Sequence, residues 1–212
     1  MNSIFAEKID TDLKLTDISL QIDEFERYGN AHASRIAWIA DTLAAAFNLA
    51  ARDRSLLQQA ASLHDIGEKQ MNREYIGESR SLTTAERIDL HRHPVIGEQE
   101  IAKLGLERGV QLLVRWHHEW WNGAGYPDGI EAEQIPLAAR ILRVADTFTA
   151  LTSNRPFRPA MPETEAKKYL TEWAGIEFDP AVVKAFLSIK QPEEITAAAN
   201  IPDPYEGGLT LV

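Results

Sequence analysis

The chain has 212 residues, of which 44% are hydrophobic and 25% charged, a composition typical of a globular protein with one core. Its formal net charge of −10 argues against nonspecific binding to duplex nucleic acid or to an acidic membrane surface. The absence of cysteine excludes disulfide bonds and thiolate metal ligands. The sequence contains no apolar run of membrane-spanning length and no secretion signal, so we expect a cytoplasmic protein.

The predicted elements, taken in chain order, are all helical. Residues 1–27 mix charged and apolar residues without a clean period, which predicts an N-terminal extension with partial helix. A helix is expected from Ala31, where apolar residues recur at helical spacing on a face that also carries His32. A second helix is predicted over 53–65, with Gly67 ending it.

The middle of the chain alternates helix signals with turn signals. Thr83 to Glu86 matches a capping box and predicts a helix start, and Pro94 should break or kink that helix. Another helix is predicted over 110–119. Residues 122–129 combine asparagine, glycine and proline in a pattern typical of a loop.

The last third of the chain continues the helical pattern. Helices are predicted over 136–153, 163–173 and 179–189, followed by an irregular C-terminal tail over 191–212. The sequence shows no strand pattern, repeat or low-complexity tract. We therefore predict an all-α helical bundle over 28–190 with one ligand-bearing loop.

Histidine and aspartate carry the main chemical signal. His117 and His118 are adjacent and lead into the glycine-rich loop. His64 is followed directly by Asp65, and Asp146 lies in an otherwise apolar helix. Imidazole and carboxylate together suit iron, manganese, zinc or cobalt. Five candidate histidines and two aspartates exceed the needs of one tetrahedral metal and suit two metals bridged by a carboxylate.

Each of these residues also has a purely structural interpretation. His32 on an apolar face is compatible with a hydrogen-bonded core histidine, and His64 with Asp65 is compatible with a helix cap. Asp146 needs a compensating partner, which is either a metal ion or an arginine of its own helix. These alternatives stay open on residue chemistry alone, although all of them would have to hold at once.

Several motifs, in order along the chain, resemble the HD-GYP branch of the HD phosphohydrolase superfamily. They are His-Asp-Ile-Gly at 64–67, His-Pro-Val-Ile-Gly at 93–97, the run 117–127, Val-Ala-Asp at 144–146 and the segment 150–158. The resemblance implies an α-helical HD domain with its Gly-Tyr-Pro loop at a metal site. It also implies a metal-dependent phosphodiesterase that hydrolyses cyclic di-GMP or a related cyclic dinucleotide.

The resemblance further implies seven metal ligands shared between two ions. The first ion would be held by His32, His64, Asp65 and Asp146. Asp65 would bridge to a second ion, whose other ligands would be His93, His117 and His118.

The number of metals is inferred from the same resemblance. Some members of the family hold a third metal through a glutamate one helical turn before the first histidine, and here that position is Tyr28. We therefore predict two divalent transition metals, iron or manganese. His91 has no counterpart among the ligands, and we predict that it is a surface residue or lies behind them.

The mechanism implied by two such metals is attack of a metal-bridged hydroxide on the phosphorus of a phosphodiester. Arg155 and Arg158 resemble the family's phosphate-binding arginines, whose planar forks suit a phosphodiester. A solvated loop is the alternative for both. Tyr126, in the Gly-Tyr-Pro loop, is predicted to contact the substrate, and the family links this loop to recognition of diguanylate cyclase (GGDEF-type) domains.

Two positions depart from the family pattern. The family has lysine after His-Asp-Ile-Gly, whereas this chain has Glu68 followed by Lys69, and we assign both to the catalytic set with Asp65. The family often has aspartate three residues after the metal aspartate, whereas this chain has Thr149. A carboxylate at position 68 would repel a phosphodiester unless it binds a metal or pairs with an arginine.

These departures keep a second class of function open. The alternative is a catalytically weak protein that binds nucleotide or a protein partner and signals by contact. A third interpretation is hydrolysis of a mononucleotide, against which the Gly-Tyr-Pro loop and the two arginines argue.

Overall fold

The computed structural model describes residues 2–28, 32–76, 78, 80–154 and 158–189, with side chains described from residue 13 onward. The predicted phosphate-binding residue Arg155 and the predicted tail over 191–212 lie outside these ranges. Within them the chain forms α-helices and no β-strand, which confirms the all-α prediction. None of the described helices is both long enough and apolar enough to cross a membrane.

Ten α-helices occur within the described ranges. In chain order they are α1 (Asn2–Phe25), α2 (His32–Ala46), α3 (Ala51–Leu63), α4 (Ile66–Met71), α5 (Thr84–Leu90), α6 (His93–Lys103), α7 (Arg108–Trp116), α8 (Leu137–Leu151), α9 (Glu163–Glu172) and α10 (Pro180–Ser188).

The core is formed where α2 packs against α3 and α8, and α7 packs against α3 and α8 as well. Ile36, Leu57 and Phe148 are completely buried there because each helix turns an apolar face inward. The end of α1 belongs to this core as well, since Ile22 is 1% exposed. The segment predicted as an extension is therefore continuous with the bundle at its C-terminal end.

The chain breaks between α3 and α4 two residues earlier than the sequence predicted. We expected Gly67 to end a helix, whereas Gly67 lies inside α4. A Cβ atom on Gly67 would lie 2.0 Å from the carbonyl oxygen of His93, at the start of α6. The glycine therefore permits close packing of α4 on α6 and does not terminate a helix.

Two local predictions are confirmed and one boundary moves. Thr83 and Glu86 form a complete capping box at the start of α5. Pro94 lies in the first turn of α6, so the chain breaks between α5 and α6. Helix α7 ends at Trp116, three residues earlier than predicted, and the two adjacent histidines follow its end.

Candidate metal centre

The seven predicted ligands come from five places in the fold. All but one of them lie at or beside a helix terminus, where the backbone turns toward the centre of the bundle. They are His32 at the start of α2, His64 and Asp65 between α3 and α4, His93 at the start of α6, His117 and His118 after α7, and Asp146 within α8.

The fold brings these residues together as two groups. Ligand atoms in the first group lie within 4.8 Å of one another, as do those in the second. The groups are His32, His64 and Asp146, and Asp65, His93, His117 and His118. These groups correspond to the two ligand sets that the resemblance implies, with Asp65 placed in the second, and metal binding by them stays a prediction.

The carboxylate of Asp65 lies between the two groups. Its Oδ2 atom is 2.9 Å from Nε2 of His64, in the first group. Its Oδ1 atom is 3.2 Å from Nε2 of His93 and 3.5 Å from Nε2 of His117, in the second group. One oxygen therefore faces each group, which is the arrangement required of a bridging ligand.

Backbone carbonyl groups orient three of the histidines. The Nδ1 atoms of His64, His93 and His117 lie 3.0, 2.8 and 2.6 Å from the carbonyl oxygen of the residue three positions earlier. Since a carbonyl oxygen only accepts, each Nδ1 carries the proton and donates it. The Nε2 lone pair of each ring is then available to a metal, as in other histidine metal sites.

The remaining polar atoms of the cluster fit a bound cation. The Nε2 atoms of His93 and His117 lie 3.3 Å apart, and two lone pairs at this distance repel unless a proton or a metal ion lies between them. Within the described part of the chain, Nδ1 of His32 is buried without a hydrogen-bond partner. Buried polar atoms of this kind call for a ligand.

Burial and the carboxylates shift the pKa values of the first group in opposite directions. Burial lowers the pKa of His32 to about 3. Burial also lowers the pKa of His64, but Asp65 and Asp146 outweigh it and raise that pKa to about 10. A metal ion that binds His64 must therefore displace a proton, and its affinity should fall as the pH falls.

A cavity of about 440 Å³ opens beside the two groups. Asp65, Glu68, His118 and Asp146 contribute to its wall. Oxygen atoms of Glu68, Asp65 and Glu26 lie within 4.8 Å of one another. Burial, followed by repulsion from Asp65, raises the pKa of Glu68 to about 7. The predicted catalytic residue Glu68 thus lines the cavity beside Asp65.

Glu26 was missed by the sequence reasoning. It is buried near the end of α1 and contributes to the cavity wall. It precedes His32 by six residues, which is not the one-turn spacing that draws attention to a family ligand. No sequence signal distinguishes it from the other acidic residues of that segment.

Two other predicted residues are not part of the cavity wall. Lys69 donates a hydrogen bond to the side chain of Gln21 on α1, so the structure does not bring it to the position expected of a phosphate-binding lysine. Arg158 donates to the carbonyl oxygen of Ala150 at 2.6 Å. The substrate roles assigned to these residues remain predictions.

The Gly-Tyr-Pro loop packs Tyr126 between two imidazole rings. Its ring centroid is 3.9 Å from that of His91 and 4.8 Å from that of His118. Glu119 holds the loop, since its carboxylate accepts hydrogen bonds from the backbone of Asp128 and Gly129 at 2.7 and 3.1 Å. With both faces covered, Tyr126 cannot stack on a nucleobase in this arrangement.

Arg143 is a cation of the cavity wall. From the sequence, an arginine of this helix was expected only as a partner of Asp146. Its Nη1 atom lies 3.7 Å from Oδ2 of Asp146 but only 2.6 Å from Nδ1 of His118. Its Nη2 atom donates to Glu177, which also accepts from the hydroxyl of Tyr169. The spacing of three residues before Asp146 was the only available signal.

Comparison with known proteins agrees with the sequence motifs. A family model described as HD domain matches residues 22–182. A cyclic di-GMP phosphodiesterase of Vibrio cholerae is 36% identical over 155 residues, which cover 70% of this chain and 31% of that protein. A 3'3'-cGAMP-specific phosphodiesterase 3 of the same organism is 32% identical over 184 residues, covering 87% of this chain and 38% of that protein.

Solved structures show the same fold. A crystal structure of a cyclic GMP-AMP-specific phosphodiesterase from V. cholerae matches with a TM-score of 0.63 and 19% sequence identity. The match covers 91% of this chain and 54% of that one. The chain therefore spans about a third of the length of the two curated relatives and about half of this structure.

Proposed function

The chain belongs to the HD domain family, in its HD-GYP branch, and from this premise we propose that it is a metal-dependent phosphodiesterase for cyclic dinucleotides. Cyclic di-GMP and 3'3'-cGAMP are the substrates that the names of its relatives suggest. Because the chain spans only part of those relatives, the substrate and activity are assigned here to this domain alone.

The observation that carries the proposal is the position of Asp65. One of its carboxylate oxygens faces His64 and the other faces His93 and His117. A bridging carboxylate between two nitrogen-rich ligand groups is the arrangement that holds two metals at the spacing needed for phosphodiester chemistry. We propose that iron or manganese fills both positions, two of the four metals that imidazole and carboxylate ligands suit.

Metals bound in such a pair would supply hydroxide near neutral pH and neutralise charge on the phosphate oxygens. The residues of the chain supply the rest. The carbonyl bonds to His64, His93 and His117 fix their ring orientation, and burial excludes water from behind the ligands. Among the described residues, Arg143 and Arg80 are the cations of the cavity wall. Arg80 already forms an ion pair with Glu86 at 2.6 Å.

The charge of the cavity supports metal dependence. Glu26, Asp65, Glu68 and Asp146 all contribute to its wall, and a cyclic dinucleotide carries two phosphodiester charges. Such a ligand would be repelled by these carboxylates unless cations were bound first. We therefore propose that the substrate binds only to the metal-loaded protein.

Glu68 favours a second candidate function. It places a carboxylate in the cavity where the resemblance leads us to expect lysine. A chain that holds metals and nucleotide but turns over slowly would act as a binding and signalling module. Recognition of GGDEF-type domains and a cytoplasmic location remain predictions for either function.

Turnover measurements distinguish the two candidates. The Mn²⁺-loaded chain is incubated separately with cyclic di-GMP, 3'3'-cGAMP and cyclic di-AMP, and products are separated by chromatography. We expect hydrolysis of at least one substrate, and its loss in Asp65→Asn, which keeps the shape of the residue but weakens the bridge. Binding of a cyclic dinucleotide without any hydrolysis would favour the signalling function.

A further inference from the structure

His118 differs from the other histidines of its group in the partner of its Nδ1 atom. His93 and His117 place Nδ1 against a backbone carbonyl oxygen, which accepts a proton. His118 places Nδ1 2.6 Å from Nη1 of Arg143. A guanidinium group has five donors and no acceptor, so Nδ1 of His118 must be the acceptor in this contact.

This contact constrains what else His118 can bind. A neutral imidazole has one N–H group and one lone pair. If Nδ1 accepts from Arg143, the proton lies on Nε2 and neither nitrogen has a lone pair left for a metal. If Nε2 binds a metal instead, the proton lies on Nδ1 and two donors face each other at 2.6 Å. In either neutral form, metal ligation by His118 and its hydrogen bond to Arg143 exclude each other.

The rest of the structure holds Arg143 at this position. The side chain of Arg143 is 14% exposed, and that of Glu177, which accepts from Nη2, is 3% exposed. Tyr169 donates to the other carboxylate oxygen of Glu177 at 3.2 Å. Since Glu177 is buried and bonded from both sides, it keeps the guanidinium within reach of His118. The contact is therefore built into the fold.

We propose that Arg143 and the second metal ion compete for His118, so that Arg143 sets the affinity of the second metal position. The inference rests on the proposed metal site. Loading of the second position would release the Nη1 atom of Arg143, while Glu177 retains the Nη2 atom. Arg143 then weakens one metal position selectively, since the first group does not contain His118.

The test is a calorimetric titration of the chelator-treated chain with Mn²⁺. The variant replaces both members of the buried pair, Arg143→Met with Glu177→Gln, so that net charge is kept and Glu177 is not left as an unpaired buried charge. We expect the weaker Mn²⁺ binding step to tighten by about tenfold, the size of a lost competing hydrogen bond to a charged group. The stronger step should change little.

A matched control lies on the same helix. Arg140 pairs with Asp179 at 2.5 Å and lies over Trp121, one helical turn before Arg143, and it is not part of the cavity wall. The double variant Arg140→Met with Asp179→Asn should leave both Mn²⁺ steps unchanged. Urea unfolding checks that each protein folds, and Arg143→Leu with Glu177→Gln replaces the methionine variant if that one does not.

A second background separates competition from simple charge repulsion, which the 3.7 Å distance to Asp146 also permits. In the His118→Ala background, the Arg143→Met and Glu177→Gln substitutions should not raise the Mn²⁺ affinity of the weaker step tenfold. An equal gain in Mn²⁺ affinity with and without His118 would overturn the proposal. No gain in the protein that retains His118 would overturn it too. These titrations need no substrate, so a failed turnover assay would count against the proposed function and leave this inference intact.

Discussion

The phenol ring of Tyr126 lies flat against the imidazole ring of His91, with 3.9 Å between ring centroids and 9° between ring planes. His91 is the one histidine of the chain outside the two ligand groups. Its position explains why a chain with six histidines uses only five of them near the proposed metals. His91 supports the loop that covers His118.

Replacement of His91 should therefore affect the loop and spare the metals. We expect His91→Ala to reduce kcat/KM severalfold, since an aromatic contact of this kind contributes about 1 kcal/mol. Metal content per chain should equal that of the wild type. His91→Phe, which restores a flat ring, should recover most of the activity. Loss of a metal in His91→Ala would instead make His91 a ligand.

Gly67 controls the distance between α4 and α6, and thereby the distance between Asp65 and His93. A Cβ atom there would lie 2.0 Å from a backbone oxygen that cannot move without moving α6. We expect Gly67→Ala to bind less metal at the second position and to lose hydrolysis. Metal analysis and turnover of the purified variant check this expectation.

Gly109→Ala is the matched control for Gly67→Ala. Its added Cβ would meet the end of the Leu56 side chain at 2.7 Å, and that side chain can change rotamer. It should therefore keep both metals and its activity. If Gly67→Ala behaved like Gly109→Ala, the packing of α4 on α6 would not set the geometry of the site.

Glu68 should limit turnover of an anionic substrate. We expect Glu68→Lys to raise kcat/KM on cyclic di-GMP by about tenfold, because it replaces a repelling carboxylate with a charge-assisted donor. Glu68→Gln, which only removes the charge, should give a smaller increase. The measurement is steady-state kinetics with metal content determined on the same samples. Loss of metal in both variants would show that Glu68 is a ligand.

The ion pair between Arg80 and Glu86 should make the free energy of unfolding depend on pH. Bonds from Arg80 and Thr83 lower the pKa of Glu86 from 4.5 to about 2. The pKa of Glu86 is lower in the folded state than in the unfolded chain, so the ion pair with Arg80 stabilises the fold fully above pH 4.5. This stabilisation is lost as the pH falls toward 2. Wild type should therefore exceed Glu86→Gln in unfolding free energy at pH 7, and the gap should close below pH 4.5.

Urea unfolding across pH 7 to 3 measures this gap. Glu133→Gln, at an exposed glutamate in the turn before α8, provides the reference. A difference in unfolding free energy between wild type and Glu86→Gln that stayed constant over the whole pH range would mean that the ion pair with Arg80 does not contribute to stability.

The fold could be predicted because it depends on residue type and order, and the family motifs pointed to the residues that the fold brings together as the two groups. Helical spacing, the Thr83 capping box and Pro94 identify elements locally, and His64-Asp65 and the adjacent histidines stand out in any sequence. The role of Gly67 could not be predicted, because a glycine that ends a helix and one that admits a neighbouring helix look alike. Only the packing of α4 on α6 distinguishes them.

The residues that surround the ligands could not be predicted from the sequence either. Glu26 and Glu177 are far apart in sequence and meet the site through the end of α1 and the α9–α10 connection. The contact between Arg143 and His118 joins residues 25 positions apart. Lys69 illustrates the converse, since a residue adjacent to Glu68 projects toward α1 instead of the cavity. Such directions follow from tertiary packing and leave no trace in local spacing.

We propose that Asp65 bridges two metals that together support hydrolysis of a cyclic dinucleotide. The most direct measurement is anaerobic purification with metal analysis, followed at once by cyclic di-GMP turnover on the same sample. We predict about two metals per chain, with turnover that rises in proportion to occupancy of the second position. Two bound metals without turnover of any cyclic dinucleotide, or turnover that persists after both metals are removed, would contradict the account.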